Sequence, residues 1–150
     1  MSDSNPQKIV HVHLPKNEAF RTTLTAGDHQ LISDEPTTVN GGTDTGPDPY
    51  DLLLMALGSC TVMTVKMYAD RKKWPIDDIY LELRHNKSHV EDCETCEDPE
   101  AKIDTIEKEL IIKGELDQGQ KEKLLEISKK CPVHKTMLSE IRIDSSLSVE

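Results

Sequence analysis

The stretch from Gly46 to Tyr68, GPDPYDLLLMALGSCTVMTVKMY, constrains this chain more than any other. Asp48 suits a helix N-cap and Pro49 suits the first turn. Asp51, three residues after the cap, completes a capping-box pattern. Leu52, Leu53, Leu54, Met55, Ala56 and Leu57 follow with no polar face. A helix apolar all round is expected to be enclosed on all sides, in a core or between subunits. Gly58 and Ser59 are small enough to let another backbone approach, and Cys60 comes next. The helix is expected to reach about Arg71–Lys73, whose charges suit a C-terminal end, with Trp74-Pro75 stopping it.

Composition bears on what encloses that helix. Apolar residues make up 35% of the 150-residue chain and aromatic residues 3%, which is lean for a self-sufficient core. Burial completed by a second copy follows, so an obligate homodimer is expected. Lys plus Arg is 18 against 28 for Asp plus Glu, a net charge of −10. That balance argues against nucleic acid or an anionic membrane as partner, since both need basic surface. No run approaches the roughly 18 consecutive apolar residues of a membrane helix. The start, MSDSNPQK, has neither a basic n-region nor an apolar h-region. Four cysteines without such a leader fit a reducing compartment, and a cytoplasmic location is expected. The length fits one domain over residues 1–150, with residues 1–7 as a frayed tail.

In order along the chain, Ile9, Val10, Val12 and Leu14 read as a strand. Phe20, Thr22, Leu24 and Ala26 alternate as a second, and Gly27-Asp28 turns into a third at His29, Leu31 and Ile32. An antiparallel meander is expected there. Ser33 to Pro49 is a long loop rich in Gly, Pro, Thr and Asp. Past the central helix, Ile79, Leu81 and Leu83 mark a half-buried strand. Residues 85–101 form an acidic, solvated excursion, and Ile103, Ile106, Leu110, Ile111 and Ile112 mark the returning strand. Asp117 to Lys130 is an amphipathic helix, Cys131-Pro132 breaks it, and a short helix through Met137 and Leu138 follows. Ile141, Ile143, Leu147 and Val149 are expected to give a last strand. Helices and strands out of strict alternation indicate an α+β class with mostly antiparallel sheets.

Reactive thiol chemistry needs an ionised sulfur, access for the oxidant, and rescue of the sulfenic acid. Cys60 lies about three turns into its helix, too deep for the N-terminal dipole to help a thiolate. A nearby cation would be needed, and arginine is the natural choice because it keeps its proton. Cys131 precedes Pro132 at a helix start, where backbone N–H groups favour thiolate. By local electrostatics Cys131 is the better-activated thiol. Free cysteine is also a common buried hydrophobe, and a separation of 71 residues leaves open whether the two meet.

GPDPYDLLLMALGSCTVMTVKMYA followed downstream by CPVHKTM resembles the OsmC/Ohr family of thiol-dependent peroxidases. The order of elements agrees over about residues 8–145. The resemblance implies an OsmC-like fold, with antiparallel sheets around long central helices in an intertwined homodimer whose active sites lie at the subunit interface. It implies hydroperoxide reduction in oxidative stress defence, with Cys60 as the peroxidatic thiol and Cys131 as the resolving one. The disulfide they form would be reduced by an external dithiol, with no cofactor. Family members hold the first cysteine with an arginine from the meander and a glutamate at the start of the central helix. Here Arg21 is the candidate cation. The glutamate position, ten residues before Cys60, is Tyr50, with Asp51 the adjacent carboxylate. Tyr50 could donate to a peroxide oxygen or simply pack.

His85, His89, Cys93 and Cys96, in RHNKSHVEDCETC, are two imidazoles and two thiols of the kind that hold tetrahedral zinc. A second redox dithiol or a plain solvated loop are the other readings of this segment. His134, three residues after Cys131, could polarise that thiol or cap the helix. Rival functions on the same fold are a non-enzymatic protein binding an apolar ligand or zinc, and a redox sensor read by a partner protein.

Overall fold

The computed structural model describes residues 7–89 and 102–150. The described residues form two compact units, Met1–Leu53 and Leu54–Glu150. In the first, β1 (Val10–His13), β2 (Thr22–Ala26) and β3 (His29–Ser33) make an antiparallel sheet in the order β1-β2-β3. Ala26 pairs with His29, so β2 and β3 are joined by the two residues Gly27 and Asp28. Gly27 has φ +59°, the positive value that so short a hairpin loop demands. The expected meander is present.

The loop after β3 is organised around a buried carboxylate. Asp34 accepts hydrogen bonds from the Thr43 and Thr45 hydroxyls, each at 2.6 Å, and from the backbone N–H groups of Glu35 and Thr45 at 2.7 and 3.1 Å. These donors, the Thr43 and Thr45 hydroxyls first, hold the carboxyl well below its usual range against the opposing effect of burial. A depressed carboxylate stabilises the fold above its unfolded pKa of about 4, and that stabilisation is lost as pH falls further. Asp34→Asn is therefore expected to unfold more readily in urea at neutral pH than the parent. The gap between the two should narrow as pH drops below about 4; a gap independent of pH would show that the Asp34 charge does not organise the loop.

Helix α1 (Pro49–Lys72) begins as the capping box expected of it. The Asp51 N–H donates to Asp48 Oδ1 at 2.8 Å, and the Asp48 N–H donates to Asp51 Oδ2 at 3.2 Å. It ends with Lys73 in the left-handed region, φ +57°, and the Trp74 N–H reaching back to the Ala69 carbonyl at 2.9 Å. In the second unit β4 (Asp78–His89) and β5 (Lys102–Lys113) form an antiparallel pair, followed by α2 (Gln118–Ser128) and α3 (Pro132–Leu138). Asp117 and Gln120 close a reciprocal capping box on α2. The core gathers Val65 and Ala69 of α1 with Leu124 and Ile127 of α2. Tyr68, Trp74, Ile79, Leu110 and Ile112 pack around them.

Two expectations are corrected. The excursion at 85–101 begins later than expected, because β4 runs on through His89, which pairs with Lys102; alternation of polar residues in a two-stranded ribbon does not end a ladder whose backbone is paired. The last strand does not form. Ile141, Ile143, Leu147 and Val149 lie in a segment without regular structure, 56–87% exposed, because no described strand pairs with it. The chain itself covers one side of the central helix, and the expectation of a second copy on the other side is not contradicted. Leu57, Thr61, Val65 and Ala69, four residues apart, form its buried side, while Met55, Met63 and Met67 are more than half exposed. By length and composition α1 is apolar enough to cross a membrane, but Val65 and Ala69 are fully buried in the chain's own core and Lys66, Asp70, Arg71 and Lys72 crowd its last turns.

Candidate functional site

Gly58 sets the approach of α1 to β4, since a Cβ at that position would lie 2.9 Å from Leu83 Cδ1. With the helix this close, the residues one and two positions after Ser59 face the sheet and α3. Cys60 is partly exposed, Thr61 is fully buried and Cys131 is fully buried. Cys131 is the N-cap of α3, and its sulfur accepts the His134 backbone N–H at 3.2 Å. Pro132 at N1 supplies the fixed φ that opens a helix directly after the cap.

The Cys60 thiol lies near enough to the Cys131 sulfur to favour its ionised form, so α1 and the start of α3 bring the two cysteines together. Thr61 Oγ1 lies 3.5 Å from the same sulfur and 2.8 Å from the Leu57 carbonyl. A hydroxyl has one proton, so it bonds the carbonyl while Cys131 is a thiol and can turn to the sulfur when Cys131 is ionised. Burial pushes the Cys131 thiol up. The Thr61 hydroxyl, the His134 N–H, the Cys60 thiol and the Lys108 charge together outweigh it and hold Cys131 below its ordinary value. The helix-start environment read from CPVH is thus present, with further donors that the local sequence does not show.

Lys108 was missed. It lies on the inward face of β5, in the series Ile106, Lys108, Leu110, Ile112, whose members are all half-buried while Glu107, Glu109 and Ile111 are exposed. A charge at an inward position of an alternating strand is the signal that would have found it. Its ammonium donates to the Ser128 carbonyl at 3.0 Å, to His134 Nδ1 at 2.9 Å and to Thr61 Oγ1 at 3.4 Å. Burial lowers the Lys108 pKa, the attraction of the Cys131 and Cys60 sulfurs opposes this, and Lys129 adds to the lowering. His134 is held below its ordinary value by burial first and then by Lys108 and Lys129. It is therefore a neutral imidazole at neutral pH, with Nδ1 free to accept from an ammonium, which has donors only.

Arg21 stands immediately before β2 in the first unit; within the second unit, the Lys108 charge acts on both sulfurs. Tyr50 and Asp51 occupy the first turn of α1, where the Asp51 carboxylate is engaged in the capping box and Tyr50 is half exposed. Of the zinc candidates, His85 Nε2 pairs with Asp104 Oδ1 at 2.8 Å and His89 ends β4; Cys93 and Cys96 lie outside the described residues. No cluster of three or more potential metal ligands occurs among the described residues.

The fold has solved relatives. An OsmC-like protein from Mycoplasma pneumoniae superposes with a TM-score of 0.69 at 18% identity, over 89% of each chain. An organic hydroperoxide resistance protein, OsmC, from Legionella pneumophila gives 0.61 at 18% identity, over 87% of this chain and 88% of that one. The organic hydroperoxide resistance protein OhrB of Bacillus subtilis gives 0.59 at 16% identity, over 87% and 90%. At these identities the likeness speaks for the fold. No curated protein matches in sequence. Residues 42–146 match the family described as OsmC, OsmC-like protein. Because that match spans well over half the sequence, including Cys60 and Cys131, the chain belongs to the OsmC-like protein family.

Proposed function

We propose that this protein is a thiol-dependent hydroperoxide reductase that uses Cys60 and Cys131 as a redox pair in oxidative stress defence. The observation that carries the reading is the Cys131 sulfur with the His134 N–H at 3.2 Å and the Thr61 hydroxyl at 3.5 Å, and with the Cys60 thiol near enough to favour its ionised form. Two structurally similar proteins named for organic hydroperoxide resistance support it. Cys131 is closed off from solvent whereas Cys60 is partly open, so an incoming peroxide meets Cys60.

The Cys131 thiolate takes the Cys60 proton, and the Cys60 sulfur attacks one peroxide oxygen. The O–O bond breaks, and the departing alkoxide takes the proton from Cys131 to leave as alcohol, or as water from hydrogen peroxide. Cys60 is now a sulfenic acid and Cys131 is again a thiolate. Cys131 attacks the Cys60 sulfur, hydroxide leaves and takes a proton from solvent, and a disulfide closes. An external dithiol restores both thiols. No resident cofactor or zinc enters these steps. A homodimer is part of the proposal, since the exposed Met55, Met63 and Met67 side of α1 would be covered by a second copy.

Titration of free thiols before and after adding cumene hydroperoxide or hydrogen peroxide tests the reading. The expected result is rapid loss of two thiols per chain with a Cys60–Cys131 disulfide in the peptide map. A chain that keeps both thiols reduced under either peroxide is a binding protein rather than a reductase.

A further inference from the structure

We infer that Lys108 is the cation that serves the thiol pair, held in place by His134 and the Ser128 carbonyl. The inference rests on Cys60 and Cys131 acting as a pair, but it concerns their charge and is tested without peroxide.

A lysine ammonium has three N–H donors and no acceptor. Buried in part, it is costly unless each proton finds an oxygen or nitrogen lone pair. Around Lys108 Nζ there are three acceptors, one each from three different elements: Thr61 Oγ1 of α1, the Ser128 carbonyl of α2 and His134 Nδ1 of α3. These acceptors favour the charged form, against the burial that lowers the Lys108 pKa. A neutral amine would have one donor too few for the same three acceptors.

Position gives the charge its role. Thr61 bridges Lys108 to the Cys131 sulfur, and the Lys108 charge is felt at both sulfurs. Among the described residues, Lys129 opposes it and His134 stays neutral as an acceptor. His134 thus has two contacts in one place. Its backbone N–H donates to Cys131, and its ring accepts from Lys108, so the start of α3 orients the thiolate and the cation together. Lysine rather than arginine suits this site because the three acceptors converge on a single nitrogen, whereas a guanidinium spreads its donors over a planar fork. Lys108 and His134 are positioning residues, acting on the reacting sulfurs through charge and through Thr61.

The test follows thiolate formation by ultraviolet absorbance as a function of pH, in a chain carrying Cys93→Ser and Cys96→Ser so that only the pair is read. An opposite charge a few ångströms from a thiol favours its ionised form. Lys108→Gln, one atom shorter but with two N–H donors and no charge, is expected to leave about tenfold less thiolate at neutral pH. Lys108→Arg, which restores charge without the convergent geometry, should recover most of it. Far-ultraviolet circular dichroism confirms that each variant is folded, and Lys108→Met repeats the charge removal with an apolar side chain. A Lys108→Gln or Lys108→Met chain that is folded and titrates like its parent overturns the inference. So does Lys108→Arg behaving like Lys108→Gln, which would assign the effect to shape. If the titration shifts as expected but peroxide does not oxidise the pair, Lys108 keeps its role and the reductase reading fails by itself.

Discussion

Replacing Cys60 by serine is expected to lower peroxide consumption by several orders of magnitude, the loss typical when a nucleophile is removed. Cys131→Ser is expected to behave differently. Its Cys60 should still be oxidised once, then stop as a sulfenic acid that a dimedone-type reagent traps, or advance to the irreversible sulfinic form under excess peroxide. The asymmetry follows from access: Cys131 is fully buried while Cys60 is partly open. Electrostatics alone points the other way, since the donors converge on Cys131. The two criteria are reconciled if Cys131 acts first as the proton acceptor for Cys60 and later as its resolving nucleophile. Stopped-flow consumption of peroxide by the two single variants separates the cases. Turnover retained in Cys60→Ser and absent in Cys131→Ser would reverse the proposed roles.

Leu124→Ala is expected to have the largest effect on stability. Leu124 is fully buried and packs in the cluster with Val65, Ala69 and Ile127. Removing three side-chain carbons from such a site costs about 2–5 kcal/mol, from lost burial plus the cavity left behind. The site reinforces the expectation, because α2 delivers both Leu124 to the core and the Ser128 carbonyl to Lys108. Loosening α2 should therefore weaken the cation's anchorage as well. Urea unfolding of the variant measures the first effect, and a parallel fall in thiolate at neutral pH measures the second. A loss below about 1 kcal/mol would mean that α2 is not held by this cluster.

Local chemistry in the chain was enough to determine several elements. The capping pattern at Asp48 and Asp51, the apolar run behind it and the Trp74-Pro75 stop defined α1, because caps and helix breakers act over a few residues. Alternation in Ile79, Leu81 and Leu83 gave the inward face of β4, and Cys131-Pro132 gave the start of α3. The motifs around Cys60 and Cys131 also carried the family resemblance, which the match over residues 42–146 bears out.

Tertiary structure alone decided the surroundings of the thiols. Cys60 and Cys131 lie 71 residues apart, and no local rule brings α1 to the start of α3. That pairing depends on the close approach at Gly58 and on how α2 packs. The cation was likewise hidden. Lys108 reaches the thiols by pointing inward from β5, where three acceptors from three helices meet. An acceptor set assembled from distant segments leaves no periodic trace in any one of them. The unformed strand at Ile141–Val149 shows the same limit from the other side. Alternation records which face of a strand could be buried, while a ladder forms only where a second backbone is present to complete it.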